Sequence, residues 1–339
     1  MERHHVSRRT FLKGMGAVAT AAAALPLLPM ASAGAEPRII PAGKRLMRFA
    51  HVTDLHFTNR RQNRYPTSHY HVRQAVADLN TQDLDFVLFT GDMFHFPEDM
   101  GTEMEALTDA LKGLRVPYYC TIGNHDAEGD RVKARKTFLK AGLGDQGLAY
   151  GDDYYTFAPI DGLRFVVLDS TDIDGDAYHA WSGHMGDRQF AWLERTLAKH
   201  REETIFVAIH HPPLAPYPFL EKLRFEAPAA GRLEALLARY DNVQLMFAGH
   251  FHFGGRNRFA NAELLLGPSL VEHPHPYRVV EVARLGREGQ GVVSYEWKSL
   301  RLHGDEDEAC AYGTAGLRSF GLLSLSYQRN GLVDLALSS

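Results

Sequence analysis

Thr121-Ile122-Gly123-Asn124-His125-Asp126 is the stretch whose reading decides the fold. It follows Val116-Pro117-Tyr118-Tyr119-Cys120, an apolar run with the length and composition of a buried strand. Asn124 and His125 therefore stand where a strand gives way to a loop. In open α/β sheets, ligands bind outside the carboxyl ends of the strands. The question for the rest of the chain is whether other strands bring matching side chains to the same edge.

Working outward, they do. An apolar run over 46–53 ends on Asp54-Leu55-His56, and one over 86–90 ends on Gly91-Asp92. Further along, 163–168 ends on Asp169-Ser170, 204–209 on His210-His211-Pro212-Pro213, and 243–248 on Gly249-His250-Phe251-His252. Such near-continuous hydrophobicity marks strands covered on both faces. Helical spacing lies between them: Val72, Val76 and Leu79 in 69–80, Leu107, Leu111 and Leu114 in 103–114, and Phe190, Leu193 and Leu197 in 187–200. Weaker helical patterns cover 131–141 and 233–240, and 154–159 pairs with 163–168 as a strand pair turning at Asp161-Gly162. Strand and helix alternation gives the α/β class. After His252 the pattern changes. Runs over 263–266, 277–282 and 291–298 read as antiparallel strands, with a further edge strand over 321–327.

The first 33 residues stand apart. Ser7-Arg8-Arg9-Thr10-Phe11-Leu12-Lys13 precedes an alanine-rich segment from Gly14 to Met30, and Ala31-Ser32-Ala33 follows as a small-residue cleavage pattern. This resembles a bacterial twin-arginine export signal, an address read by a translocase and not an anchor. The apolar run is short of the roughly 20 residues a membrane span needs, and Pro26 and Pro29 interrupt it. The expected organisation is a signal peptide over 1–33 and one domain over 34–339 with a C-terminal β-rich extension. The expected location is the periplasm or another exported compartment, with the Tat translocase as a transient partner.

The chain has 339 residues, 45% of them apolar, and a net charge of −4. Removing the leader, with Arg3, Arg8, Arg9 and Lys13 against Glu2, leaves the remainder more acidic still. An acidic chain argues against a surface that tracks nucleic acid. Only Cys120 and Cys310 are present. They could pair in an oxidising compartment, but the place of Cys120 inside a strand favours a buried free thiol.

The strand ends carry Asp54, His56, Asp92, Asn124, His210, His250 and His252. Each alone is a weak sign. Residues i and i+2 at a strand end point the same way, so Asp54 with His56, and His250 with His252, can each present two groups to one place. Imidazole and carboxylate together suit Zn, Fe or Mn at an open hydrolytic site. Seven donors are too many for one tetrahedral ion and fit two ions sharing a carboxylate.

With these motifs in order, Asp54-Leu55-His56, Gly91-Asp92, Gly123-Asn124-His125-Asp126, His210 and Gly249-His250-Phe251-His252, the chain resembles the calcineurin-like binuclear metallophosphoesterase family. The resemblance implies a four-layer α/β/β/α sandwich with two central mixed sheets. It implies two divalent or trivalent metal ions. Asp54, His56 and His252 would hold the first, Asn124, His210 and His250 the second, and Asp92 would bridge them. His210 is preferred to His211 because the family pattern places the ligand two residues before the proline. His125 would bind no metal and would face the substrate.

The activity so implied is hydrolysis of a phosphodiester of the cyclic-nucleotide or glycerophosphodiester type, by attack of a metal-bridging hydroxide. His125 would protonate the leaving alkoxide or hold the transition state. A periplasmic phosphomonoesterase or nucleotidase is the alternative, and a non-catalytic metal-binding protein on the same fold a third reading. Asp126 either orients His125 or caps a helix beginning near Asp130. Arg60, Arg61, Arg64, His95, His273 and His275 stay open between pocket and loop roles. Asp172, Asp174 and Asp176 read as an acidic turn, not an EF-hand.

Overall fold

The computed structural model describes residues 43–59, 65, 67–95, 100–127, 154–171, 181–272, 274–285, 289–300 and 330–337. Two βαβ units open the fold. Strand β1 (Lys44–Val52) leads through helix α1 (Ser68–Leu79) to β2 (Phe86–Phe89), and α2 (Met100–Leu111) leads on to β3 (Tyr118–Cys120). The three strands are parallel neighbours. A single turn of helix, α3 (Asn124–Ala127), follows β3 directly.

The second sheet begins with β4 (Tyr155–Ile160) and β5 (Leu163–Val167), paired antiparallel. Helix α4 (Asp187–Lys199) connects to β6 (Thr204–Ala208), and α5 (Ala227–Leu237) to β7 (Val243–Ala248). Strands β5, β6 and β7 run parallel. Helix α5 begins earlier than the apolar spacing over 233–240 suggests, with Pro228 in its first turn, where the missing N–H costs no hydrogen bond.

The later strands complete both sheets. Those named so far are joined by β8 (Gly255–Phe259), β9 (Ala262–Leu266), β10 (Pro276–Arg284), β11 (Gln290–Ser299) and β12 (Gly331–Ala336). The sheet orders are β12-β11-β10-β1-β2-β3 and β4-β5-β6-β7-β9-β8. The expected antiparallel run over 263–298 is thus corrected. Strand β9 joins the second sheet, parallel to β7 and antiparallel to β8, whereas β10 and β11 pair antiparallel with each other in the first. The continuous Leu264-Leu265-Leu266 suits a strand covered on both faces. Strands β8 and β12 were not anticipated: each lies at a sheet edge, β8 carries Arg256, Asn257 and Arg258, and Asp334 interrupts the apolar run of β12. The helix over 131–141, the strand over 321–327 and Cys310 lie outside the described residues, as do Asp172, Asp174 and Asp176.

Alternating side chains set the layers. Phe165, Phe206, Leu245 and Phe247 point between the sheets, where Phe49 meets the Phe165 and Phe247 rings edge-on at 5.4 and 5.5 Å. Their neighbours Val166, Ile205, Val207 and Met246 point the other way, onto Phe190, Leu193 and Leu197 of α4 and Leu233 and Leu237 of α5. Val72, Val76 and Leu79 of α1 and Leu107 and Leu111 of α2 pack on the first sheet. Helices therefore flank two facing mixed sheets, the expected four-layer α/β/β/α arrangement. Cys120 is a free, buried thiol, and burial raises its pKa above the usual thiol range.

Candidate functional site

The carboxyl ends of β1, β2, β3, β6 and β7 converge at one edge. Backbone pairing continues past the strands into the loops: Asp54 N–H donates to the Gly91 carbonyl, His56 N–H to that of Asp92, and Gly249 N–H to that of His210. This pairing fixes the loops against one another, so the side chains they carry are placed by the sheets.

Several of these residues hold unusual backbone. Asp54, His56, Asp92, His250 and His252 all have positive φ, between 39° and 70°. Non-glycine residues visit this region at a cost, which persists only where the surroundings enforce it and which gathers at functional sites. Gly91, with φ 87°, clears room for a neighbour. A Cβ there would lie 2.5 Å from His210 Nδ1.

The side chains form one connected cluster. His56 Nε2 and His252 Nε2 face each other at 3.0 Å. Asp54 Oδ1 lies 3.4 Å from His252 Nε2 and 4.0 Å from His56 Nε2. Asp92 sits in the middle: Oδ2 is 3.8 Å from His56 Nε2, and Oδ1 is 3.4 Å from His210 Nε2. His210 Nε2 in turn lies 3.2 Å from Asn124 Oδ1. The ring centroids of His210 and His250 are 5.1 Å apart. The seven residues read from the sequence are therefore brought together, all but His250 and His252 of them buried.

Outer partners hold each donor in place. Asp54 accepts from Thr53 Oγ1 at 2.7 Å and from His250 N–H. Asp92 Oδ1 accepts from His125 N–H at 2.9 Å. His210 donates Nδ1–H to the Thr90 carbonyl at 2.6 Å, and His252 donates Nδ1–H to Glu272 Oε1 at 2.7 Å. Both bonds leave Nε2 facing the cluster, the arrangement in which an outer acceptor orients a ligating imidazole. Tyr65 donates to the same Glu272 oxygen and stacks on His56 at 4.9 Å.

Proton affinities follow from this crowding. Burial would lower His210, but Asp92 outweighs it and the imidazole is pushed up to about 9. His252 is pushed up to about 10 in the same way, by Glu272 and Asp54 against burial. His250 is pulled down to about 3 by burial and by His210, and burial with His125 holds His56 well below the usual range. Burial alone would raise Asp92, yet His210 and His125 keep it well below the ordinary carboxyl range.

The cluster fits two metal ions by its own features. Asp54, His56, Asp92 and His252 offer donor atoms all within 4.8 Å of one another, and so do His210, His211 and His250. The Nε2 atoms of His250 and His211 are buried with no hydrogen-bond partner, which is costly for a polar atom unless a ligand satisfies it. The mixture of imidazole, carboxylate and amide oxygen suits borderline divalent ions.

His125 stands beside this cluster, its ring 4.7 Å from that of His56. The Nδ1–H of His125 donates to the His95 carbonyl at 2.7 Å. Asp126 does not orient it. Its oxygens accept from Phe94 and Gly123 N–H, and burial with Asp92 pushes the carboxyl up to about 7. His95 does reach the site, whereas His275 packs against His71 with ring centroids 4.0 Å apart. His211 is held by Ser170 Oγ at 2.8 Å. Arg60, Arg61, Arg64 and His273 lie outside the described residues. Sequence reading missed Glu272, Tyr65 and Thr90. Glu272 sits in a loop before β10 with no strand-end pattern to flag it.

Comparison with known proteins shows the family of this chain. The model of the calcineurin-like phosphoesterase family matches residues 47–254, and that of the twin-arginine translocation pathway signal sequence matches residues 5–26. A glycerophosphodiester phosphodiesterase of Enterobacter lignolyticus is 28% identical over 68% of this chain and 80% of its own. The 3',5'-cyclic adenosine monophosphate phosphodiesterase of Escherichia coli K12 is 23% identical over 78% of this chain and 88% of its own. Among solved structures, a dimetal phosphatase from Danio rerio shares the fold with a TM-score of 0.59 at 16% identity, covering 76% of this chain and all of its own. No helix among the described residues is long and apolar enough to cross a membrane. The signal sequence directs export through the Tat pathway. With a family model matched over more than half its length, the chain belongs to the calcineurin-like phosphoesterase family, hydrolases of phosphoric esters.

Proposed function

We propose that the exported protein hydrolyses phosphodiesters, with Asp54, His56 and His252 holding one metal ion, Asn124, His210 and His250 a second, and Asp92 both. The observation that carries this reading is the division of Asp92 between the two halves, one oxygen toward His56 and the other toward His210. A paired metal centre supplies Lewis acidity to the phosphoryl oxygens and activates water near neutral pH. The metals are of the Fe, Mn or Zn kind suited to this donor set.

The chain's own residues supply the rest. Thr53 Oγ1 and the His250 amide hold Asp54, and the His125 amide holds Asp92, so neither carboxylate turns as charge builds on the substrate. Such fixed dipoles need no reorganisation during the reaction. His125 in its imidazolium form keeps one proton on Nδ1, bonded to the His95 carbonyl, and gives the other, from Nε2, to the departing alkoxide, which leaves the neutral Nδ1–H imidazole. Histidine suits that task because its usual pKa lies near working pH. The diester preference rests on relatives named for glycerophosphodiesters and cyclic adenosine monophosphate.

The test is hydrolysis by the purified mature protein, supplied with manganese, of a bis-aryl phosphate beside the matching aryl monophosphate. The expected result is turnover of the diester, lost in Asp92→Asn. Preference for the monoester would move the protein to the phosphomonoesterase alternative. Two bound metals with turnover of neither would overturn the reading.

A further inference from the structure

Among the buried imidazoles outside the ligand set, His95 touches both a proposed ligand, His56, and the proposed proton donor, His125. It follows Asp92 on the loop after β2, is 3% exposed, and is held by its N–H to the Phe57 carbonyl. Its Nδ1 lies 3.2 Å from His56 Nδ1. Its ring stacks on that of His125 at 5.3 Å and 23°, and Tyr65 meets it edge-on at 4.8 Å. Its carbonyl accepts Nδ1–H of His125.

We infer that His95 is a positioning residue that sets the tautomer of His56 through its ring and of His125 through its carbonyl, joining one half of the metal cluster to the proton donor. The inference rests on the metal and proton-donor roles proposed above. His56 points Nε2 at Asp54, Asp92 and His252. A ligating nitrogen carries no proton, so the proton of His56 belongs on Nδ1. Two ring nitrogens 3.2 Å apart hold one hydrogen between them. His95 Nδ1 must therefore accept, and His95 keeps its own proton on Nε2. The opposite tautomer of His95 would force the His56 proton onto Nε2, into the metal position.

The choice of an imidazole acceptor has a consequence. His252 is backed by the carboxylate of Glu272, which adds negative charge behind the cluster. His95 orients His56 without adding a charge. It also holds the plane of His125 by stacking, so a displaced His95 ring moves ligand and proton donor together.

The experiment compares His95→Asn, whose amide oxygen falls near the position of Nδ1, with His95→Leu, which has similar bulk and no acceptor. Cobalt(II) binding is titrated, and the exchangeable N–H resonances of ligating imidazoles are recorded by proton NMR of the cobalt-loaded protein. His95→Leu is expected to weaken the first cobalt equivalent by about 10–100-fold, the usual effect of losing an outer partner, and to lose one N–H resonance. His95→Asn is expected to keep that resonance and most of the affinity. Equal loss in both variants, or full retention in His95→Leu, would overturn the inference while leaving the metal centre standing. Wild-type protein that binds no cobalt would overturn the metal reading and this one with it. If His95→Leu does not fold, His95→Gln, with its amide near Nε2 in place of Nδ1, is read instead with the same expectation of loss.

Discussion

The two halves of the cluster are built differently. The half at Asp54, His56 and His252 has a carboxylate of its own, a second carboxylate behind it in Glu272, and left-handed backbone at all three donors. The half at Asn124, His210 and His250 has no carboxylate of its own, a backbone carbonyl behind His210, and left-handed backbone at His250 alone. Asp92 belongs to both. The first half concentrates charge and strained backbone. The second has no carboxylate of its own, and two of its three donors, Asn124 and His210, keep ordinary backbone. On the proposed assignment a cation would be held mainly by charge in the first half and by shape in the second, so the first should fill before the second as metal is supplied.

Substitutions can break that ordering. Asp92→Asn should have the largest effect, because it removes the shared charge: turnover should fall to background, and metal analysis should find fewer than two ions bound. Asp54→Asn and Asn124→Ala separate the halves. The first should lower occupancy even in excess metal. The second should weaken only the later equivalent, with activity recovered as metal is raised. Recovery in Asp54→Asn and not in Asn124→Ala would reverse the assignment of strong and weak halves. His125→Ala lies outside both halves and should leave metal content unchanged while kcat falls by roughly 10²–10⁴-fold. The loss should be greatest for alkyl leaving groups, which need the proton, and least for aryl ones, which leave without it. Equal losses for both would remove His125 from the role of acid.

The first half also explains what could and could not be read from the sequence. Asp54, His56, Asp92, Asn124, His210, His250 and His252 were legible because each ends an apolar strand, and strand order alone carries those ends to one edge. The α/β class was legible from the alternation of strands and helices, whereas the two facing sheets followed only from the family resemblance. The outer partners were not. Glu272 meets His252, and Tyr65 meets Glu272, across loop geometry that no period reveals. Asp126 stayed open between two roles because adjacency in sequence to His125 is not adjacency of side chains. It ties two loop amides, while a backbone carbonyl, invisible to any motif, holds His125. Strand β8 was missed because an edge strand needs no apolar run, and β9 was misplaced because a buried leucine run does not say which sheet it joins.

Glu272→Gln sharpens the comparison with a smaller effect. It keeps an acceptor for His252 Nδ1–H but removes the charge, so affinity for the first metal equivalent should fall by about 10–100-fold, with little change in the second. A loss shared equally by the two equivalents would mean that Glu272 supports the whole loop and not one half.

The smallest effect expected is on stability against pH in the metal-free protein. His210 and His252 are raised from 6.5 to about 9 and about 10 by Asp92, Glu272 and Asp54, against burial. A group whose folded pKa is raised holds an extra proton in the folded state, so its stabilisation is whole below the unfolded value and is lost as pH climbs through the folded one. Asp126, raised from 3.8 to about 7, acts in the same direction. Asp92, lowered, stabilises above the ordinary carboxyl value and is constant across this window. The metal-free melting temperature should therefore decline as pH rises from about 6.5 to about 9. Metal binding replaces those protons, so the loaded protein should lack the decline, and the gap between the two melting curves should widen with pH. Parallel curves over this range would mean that the protons on His210 and His252 are not the ones the metals displace.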